Sequence, residues 1–255
     1  MNSTTSQNKR NKIPLWSIAL WLLVWQAVSM LLHSDILLVS PIKVLVCLAE
    51  KITEADFWRA VGSSSLRIGA GFMLALLLGI ILSALSYAYK PVHDLLKVPV
   101  SVIKSTPVAS FIILILIWIP SRNLSVIISF LMSFPVIYSN LSEGLNVMDS
   151  KMLEMADVFR LPFSKRLRFI YIPQVIPYFE SACFVALGFS WKAGIAAEII
   201  GLPRGSLGER LYEAKIYLNT PEMFAWTVTI ILVSLLFEKI AMFLINKAME
   251  KLEGK

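Results

Sequence analysis

A bilayer core of roughly 30 Å asks about 20 apolar residues of a helix that crosses it. This chain supplies about six such runs, near residues 15–32, 62–89, 100–119, 123–142, 174–200 and 224–246. In lipid every backbone amide must find its partner inside the protein, so apolar runs of this length are read as helices. The fold class follows: all-α, polytopic, with about six transmembrane helices. Composition agrees. Of 255 residues, 57% are hydrophobic and 16% charged, where a soluble domain carries about 25% charged residues. The start, "MNSTTSQNKRNKIPLWSIALWLLVWQAVSMLL", has basic residues and a long apolar run without a small-residue cleavage site. It reads as a retained first helix.

The net charge of +7 is explained by loops, not by nucleic acid. With the N-terminus in the cytoplasm, fifteen of the 24 Lys and Arg fall on cytoplasmic segments and seven on external ones, with Arg67 and Lys192 inside helices. The asymmetry expects both termini inside. Cys47 and Cys183 lie in apolar surroundings without metal-ligand spacing, which reads as packing. The expected organisation is a cytoplasmic tail (1–14), a first transmembrane helix and external segment (15–60), a membrane core (61–247) and a cytoplasmic tail (248–255). Within the external segment, 41–52 has the pattern of a short amphipathic helix lying on the membrane surface. Pro99, Pro107, Pro135 and Pro177 are expected to kink helices or mark irregular turns.

The longest cytoplasmic segment, 143–173, holds "EMADVFRLPFSKRLRFIYIP". Six charges here interrupt a greasy chain. Met152, Met155 and Phe159 recur on one helical face, while Lys151, Glu154 and Asp157 share another. Asp149 or Ser150 can cap the start. Pro162 disfavours helical geometry at Leu161, so a helix should end there. Ser164 can open a second helix, with Lys165, Arg166 and Arg168 near lipid headgroups. The spacing predicts a helix–turn–helix with an exposed apolar knob, and taken alone it reads first as an ordinary amphipathic loop snorkelling on the membrane.

The stretch resembles the cytoplasmic EAA loop of ABC-importer permeases. Glu154 and Ala156 match the opening of that pattern, and Ile170, Ile172 and Pro173 its close. Met155 stands where the family has its first Ala, and Arg160 where it has Gly. "SSLRIGAGFMLALLLGIILS", "LGFSWKAGIAAEIIG" and "GSLGERLYEAKIYLNTPEMFAW" resemble the nitrate/sulfonate/taurine-type branch. The likeness runs from about residue 60 onward. It implies the type I ABC-importer permease fold in the plasma (inner) membrane of a prokaryote. It also implies a coupling loop at 149–173 that docks on a cytoplasmic ATPase dimer, with Met152, Glu154, Met155, Ala156, Asp157, Phe159 and Arg160 as the contact set. Further implied partners are a second permease copy and an extracytoplasmic solute-binding protein seated over 201–223. ATP and Mg would be bound by the ATPase, not by this chain.

Motif absences agree with a non-catalytic subunit. The sequence has no G-x-x-x-x-G-K-[ST], no G-x-S-x-G and no H-E-x-x-H. The two histidines, His33 and His93, are expected near opposite membrane faces. A secondary transporter or channel is the rival class. It would show ionisable residues at mid-membrane. The candidates are Glu180, Lys192 and Glu198. Lys192 reads either as a guide for an anion or as half of an ion pair with Glu198 or Glu180. Trp191 and Glu198 are the other candidates for the substrate path. Arg67, toward the outer end of its helix, reads as snorkelling.

Overall fold

The computed structural model describes residues 14–32, 34 and 37–253. His33 and the basic tail before residue 14 lie outside the described residues. Among these residues every regular element is helical: α1 (Leu15–Leu32), α2 (Pro41–Ile52), α3 (Ala55–Ala88), α4 (Lys90–Ser105), α5 (Val108–Leu116), α6 (Ser121–Asn146), α7 (Ser150–Val158), α8 (Phe163–Arg166), α9 (Ile172–Gly201), α10 (Leu207–Ile216) and α11 (Thr220–Glu253). A π turn over Leu167–Tyr171 joins α8 to α9, giving one helical run from Phe163 to Gly201.

Among the described residues four helices are long and apolar enough to cross a membrane: Ala55–Ala88, Ser121–Asn146, Phe163–Gly201 and Thr220–Glu250. The segment expected as one span at 100–119 is bent. α4 and α5 meet at 104° across Thr106 and Pro107. Thr106 takes extended geometry (ψ 131), as a residue before proline prefers. Pro99, Pro135 and Pro177 stay inside α4, α6 and α9, so of the four prolines only Pro107 breaks a helix. α1 is apolar but shorter than the four spans. It is fastened to the loop after it: Trp25 Nε1 donates to Val39 O at 3.0 Å, and Ser29 Oγ to Leu38 O at 3.0 Å.

α6 is the centre of the bundle, packed between α3 and α9. Small residues let the backbones approach, the usual device where lipid removes the hydrophobic drive between helices. Ser129 Oγ donates to Ser190 O and Ser133 Oγ to Ala186 O, both from α6 to α9. Gly71 and Gly194 face Ser129 from α3 and α9 respectively.

The bundle has two distinct ends. At one, α2 and α10 cap the start of α3, the end of α9 and the start of α11. Lys51 on α2 bridges Glu222 on α11 at 3.0 Å. The expected helix at 41–52 is present there as α2, opened by Ser40, whose side chain accepts from Lys43 N. At the other end, the close of α3, the start of α4 and the close of α6 gather around Ser83, Ser86, His93, Ser142 and Asn146. The π turn before α9 joins them through the Tyr87–Tyr171 ring pair. α7 lies at this second end.

Candidate functional site

The α7 segment is built as a closed loop. Asp149 caps it, its carboxylate accepting from Lys151 N at 2.9 Å. Gln174, early in α9, receives the Asp149 amide on Oε1 at 2.9 Å and points Nε2 at Met152 Sδ, 3.6 Å away. At the far end, Leu161 N donates to Ala156 O at 2.9 Å and Arg160 N to Asp157 O at 3.0 Å. These two bonds make a Schellman close. Its left-handed position is Arg160, at φ +50°. The helix therefore ends before Leu161, and Arg160 rather than Pro162 makes the turn.

One guanidinium then clamps the turn. Arg166 Nε donates to Leu161 O at 2.8 Å, Nη2 to Ala156 O at 3.3 Å, and Nη1 meets Asp157 Oδ1 at 2.5 Å. A cation at the C-terminal carbonyls of a helix also complements its dipole. Arg166 was expected among lipid headgroups; it is a brace between α7 and α8 instead. Two charges of opposite sign, nine residues apart across a turn, were the available signal. Gln174 left no such signal.

This assembly sorts the seven expected coupling residues. Met152, Glu154, Met155 and Phe159 are exposed, and Val158 adds to the same patch at 79% exposure. Ala156 is fully buried. Asp157 is engaged by Arg166, and Arg160 serves the turn. Asp157 and Arg160 are exposed as well; free of these turn contacts is an apolar surface of Met152, Met155, Val158 and Phe159 beside the Glu154 carboxylate. Methionines suit such a surface because they adapt to a partner. An arginine in the left-handed region costs about 1–2 kcal/mol, and glycine avoids most of it. Arg160→Gly is expected to raise the stability of the chain by roughly 0.5–1 kcal/mol. A thermal-denaturation shift in detergent checks this; a lowered midpoint would show that Arg160 holds something else.

The substrate-path candidates Trp191, Lys192 and Glu198 are not brought together, and Glu180 stands exposed on α9, twelve residues before Lys192. Trp191 is 3% exposed and packs its ring on Phe237 at 5.4 Å, in the core with α11. Glu198 is fully buried and is met by α3 and α10, not by Lys192. Arg67 does not snorkel freely: it stands 4.0 Å from Glu198 and donates to Arg204 O at 3.4 Å. Of Trp191, Lys192 and Glu198 only Lys192 is exposed, and no ion pair holds it among the described residues. It shares an open face of α9 with Phe184 and Gly188, at steps of four. A Cβ on Gly188 would meet nothing within 4 Å. Lys192 lies nine residues before the end of α9, about 13 Å along the axis. An ionisable side chain at that depth faces a partner or water rather than lipid.

Residues 71–251 match the family described as binding-protein-dependent transport system inner membrane component. The chain is 23% identical over 230 residues to SsuC of Bacillus subtilis, a permease protein named for aliphatic sulfonates transport, covering 89% of this chain and 83% of that protein. It is 27% identical over 154 residues to the bicarbonate transport system permease protein CmpB of Synechococcus elongatus (56% and 52%). It is 24% identical over 208 residues to the nitrate import permease protein NrtB of the same organism (77% and 74%).

Proposed function

Because the chain belongs to the binding-protein-dependent transport system inner membrane component family, it is a permease subunit of an ABC importer, and we propose that its cargo is a small anion guided by Lys192. The observation that carries this reading is a lysine inside a span, exposed and unpaired among the described residues. Lipid is a costly surrounding for it. A water-filled path between this chain and a second permease copy supplies the missing neighbour, and an anion moving along that path supplies the opposite charge. The named cargoes of the relatives, sulfonates, bicarbonate and nitrate, are all anions and fit this charge.

In the same reading the α7 patch docks on a cytoplasmic ATPase dimer, which binds ATP and Mg. A solute-binding protein is seated over the 201–223 segment at the opposite end of the bundle. The Lys and Arg distribution supports both termini in the cytoplasm.

The test is uptake into vesicles reconstituted with the ATPase and the binding protein. Lys192→Met is expected to lower anion uptake roughly tenfold or more, the value of one lost charge-assisted contact. Assembly and basal ATP hydrolysis are expected to persist. Uptake that stays at the wild-type rate removes Lys192 from the path. Uptake by vesicles lacking the ATPase would instead establish a secondary transporter or channel.

A further inference from the structure

Glu198 is an ionisable side chain buried completely near the end of a span, and a substrate path has no access to it. Its surroundings are specific. Ser64 Oγ on α3 donates to Oε2 at 2.6 Å, and Gly208 N, in the first turn of α10, reaches the same oxygen at 3.4 Å. Ser64 Oγ in turn accepts from Leu207 N at 2.9 Å. The carboxylate thus sits at the N-terminus of α10, where free amides and the helix dipole favour an anion. Neighbouring residues of α3 hold the preceding turn: Ser63 Oγ donates to Gly205 O, and Arg67 Nη2 to Arg204 O.

The packing here is as close as the bonding. Leu207 is fully buried, and a Cβ on Gly208 would stand 2.4 Å from Glu198 Cβ. Farther along α10 the fit is looser. A cavity of about 430 Å³ opens between α9, α10 and α11, lined by Ile199, Leu211, Tyr212, Met223, Phe224 and Thr227. α10 is therefore gripped most tightly at its first turn.

We infer that Glu198 is a positioning residue that locks the first turn of α10 to α3 and α9, so that a load on the external segment is delivered to α9 and along it to α7. α9 belongs to a helical run of 39 residues, about 58 Å long. Arg166 and Gln174 fasten α7 to its other end. The lock also has an open side. Glu198 Oε1 and Arg67 Nη1 are both buried without a hydrogen bond and lie 4.0 Å apart. That gap lies between α3 and α9, and Ser64 holds the other carboxylate oxygen, so a small shift of α9 against α3 can close or widen it without breaking the Ser64 bond.

This inference rests on the importer reading, with the binding protein docking over 201–223. The test uses the full complex in vesicles and compares basal ATP hydrolysis with hydrolysis stimulated by the loaded binding protein. Glu198→Gln keeps the shape and removes the charge. Its stimulation is expected to fall at least fivefold, with basal hydrolysis and thermal stability within twofold and a few degrees of wild type. A purely structural Glu198 would lower stability and leave the stimulated-to-basal ratio alone. Wild-type stimulation in Glu198→Gln overturns the inference. If that variant fails to assemble, Ser64→Ala is read in the same way, and an unchanged ratio there overturns it too. Failure of the importer reading itself shows separately, as absence of ATP-dependent uptake in the wild type.

Discussion

Replacing Met155 by Asp is expected to cut ATP-driven uptake at least tenfold while the permease still inserts in the membrane. Met155 is 45% exposed and lies in the patch with Met152, Val158 and Phe159. A docked partner would cover this patch, and a carboxylate buried there without a partner costs several kcal/mol. One lost decade of binding is only 1.4 kcal/mol, so the docking energy should fall well past the point of occupancy. Glu154→Lys reverses the charge beside the patch and is expected to act in the same direction, with a smaller effect if the contact stays hydrated. The α7 fold itself should survive both changes, because its attachments are Gln174, Arg166 and the Arg160 turn. Pull-down of the ATPase and uptake by reconstituted vesicles read the outcome. Wild-type binding and uptake in both variants would make α7 a surface loop and leave the importer without a coupling element. Loss of binding would also place α7, and with it that end of the bundle, on the cytoplasmic side.

The parts of this fold that were legible in the sequence are those governed by local rules. Apolar run length located α3, α6, α9 and α11 because lipid permits little else. The amphipathic pattern of 41–52 announced α2, and a cap at Asp149 or Ser150 announced α7. What stayed hidden depends on where helices meet. Pro107 and Pro135 look alike in sequence, yet one breaks a helix and the other stays inside α6, packed by its neighbours. Glu198 and Lys192, six residues apart on one helix, differ completely: one faces Ser64 and Gly208 inside the bundle, the other faces out. Arg67 is 131 positions from Glu198, and nothing local pairs them. Arg166 shows the intermediate case. Its partner Asp157 is close in sequence, but the contact exists only because Arg160 adopts a left-handed turn that propensity argues against.

Gly71→Ala is expected to destabilise the permease by about 1–3 kcal/mol or more, while Gly62→Ala is expected to be neutral or slightly stabilising. The two glycines lie on the same helix, three turns or less apart, so helix propensity favours alanine equally at both. Their surroundings decide the sign. At Gly62 a Cβ meets nothing within 4 Å. At Gly71 it would stand 2.2 Å from Val126 O and 2.8 Å from Ser129 Cβ. The first of these atoms is backbone, and the second belongs to a side chain already fixed: Ser129 Oγ donates to Ser190 O on α9. α6 cannot yield toward α9 either, because Gly194 is in contact with the same Ser129 from the other side. One methyl group therefore loads both interfaces of the central helix, and α3, α6 and α9 must move together or part. On the proposed reading the consequence reaches function, since α9 carries Lys192 on its open face and α7 at its end. Thermal unfolding of the two variants in the same detergent, read beside ATPase pull-down, checks the argument. Equal midpoints for Gly71→Ala and Gly62→Ala would mean that α3 and α6 are not in close backbone contact at Gly71.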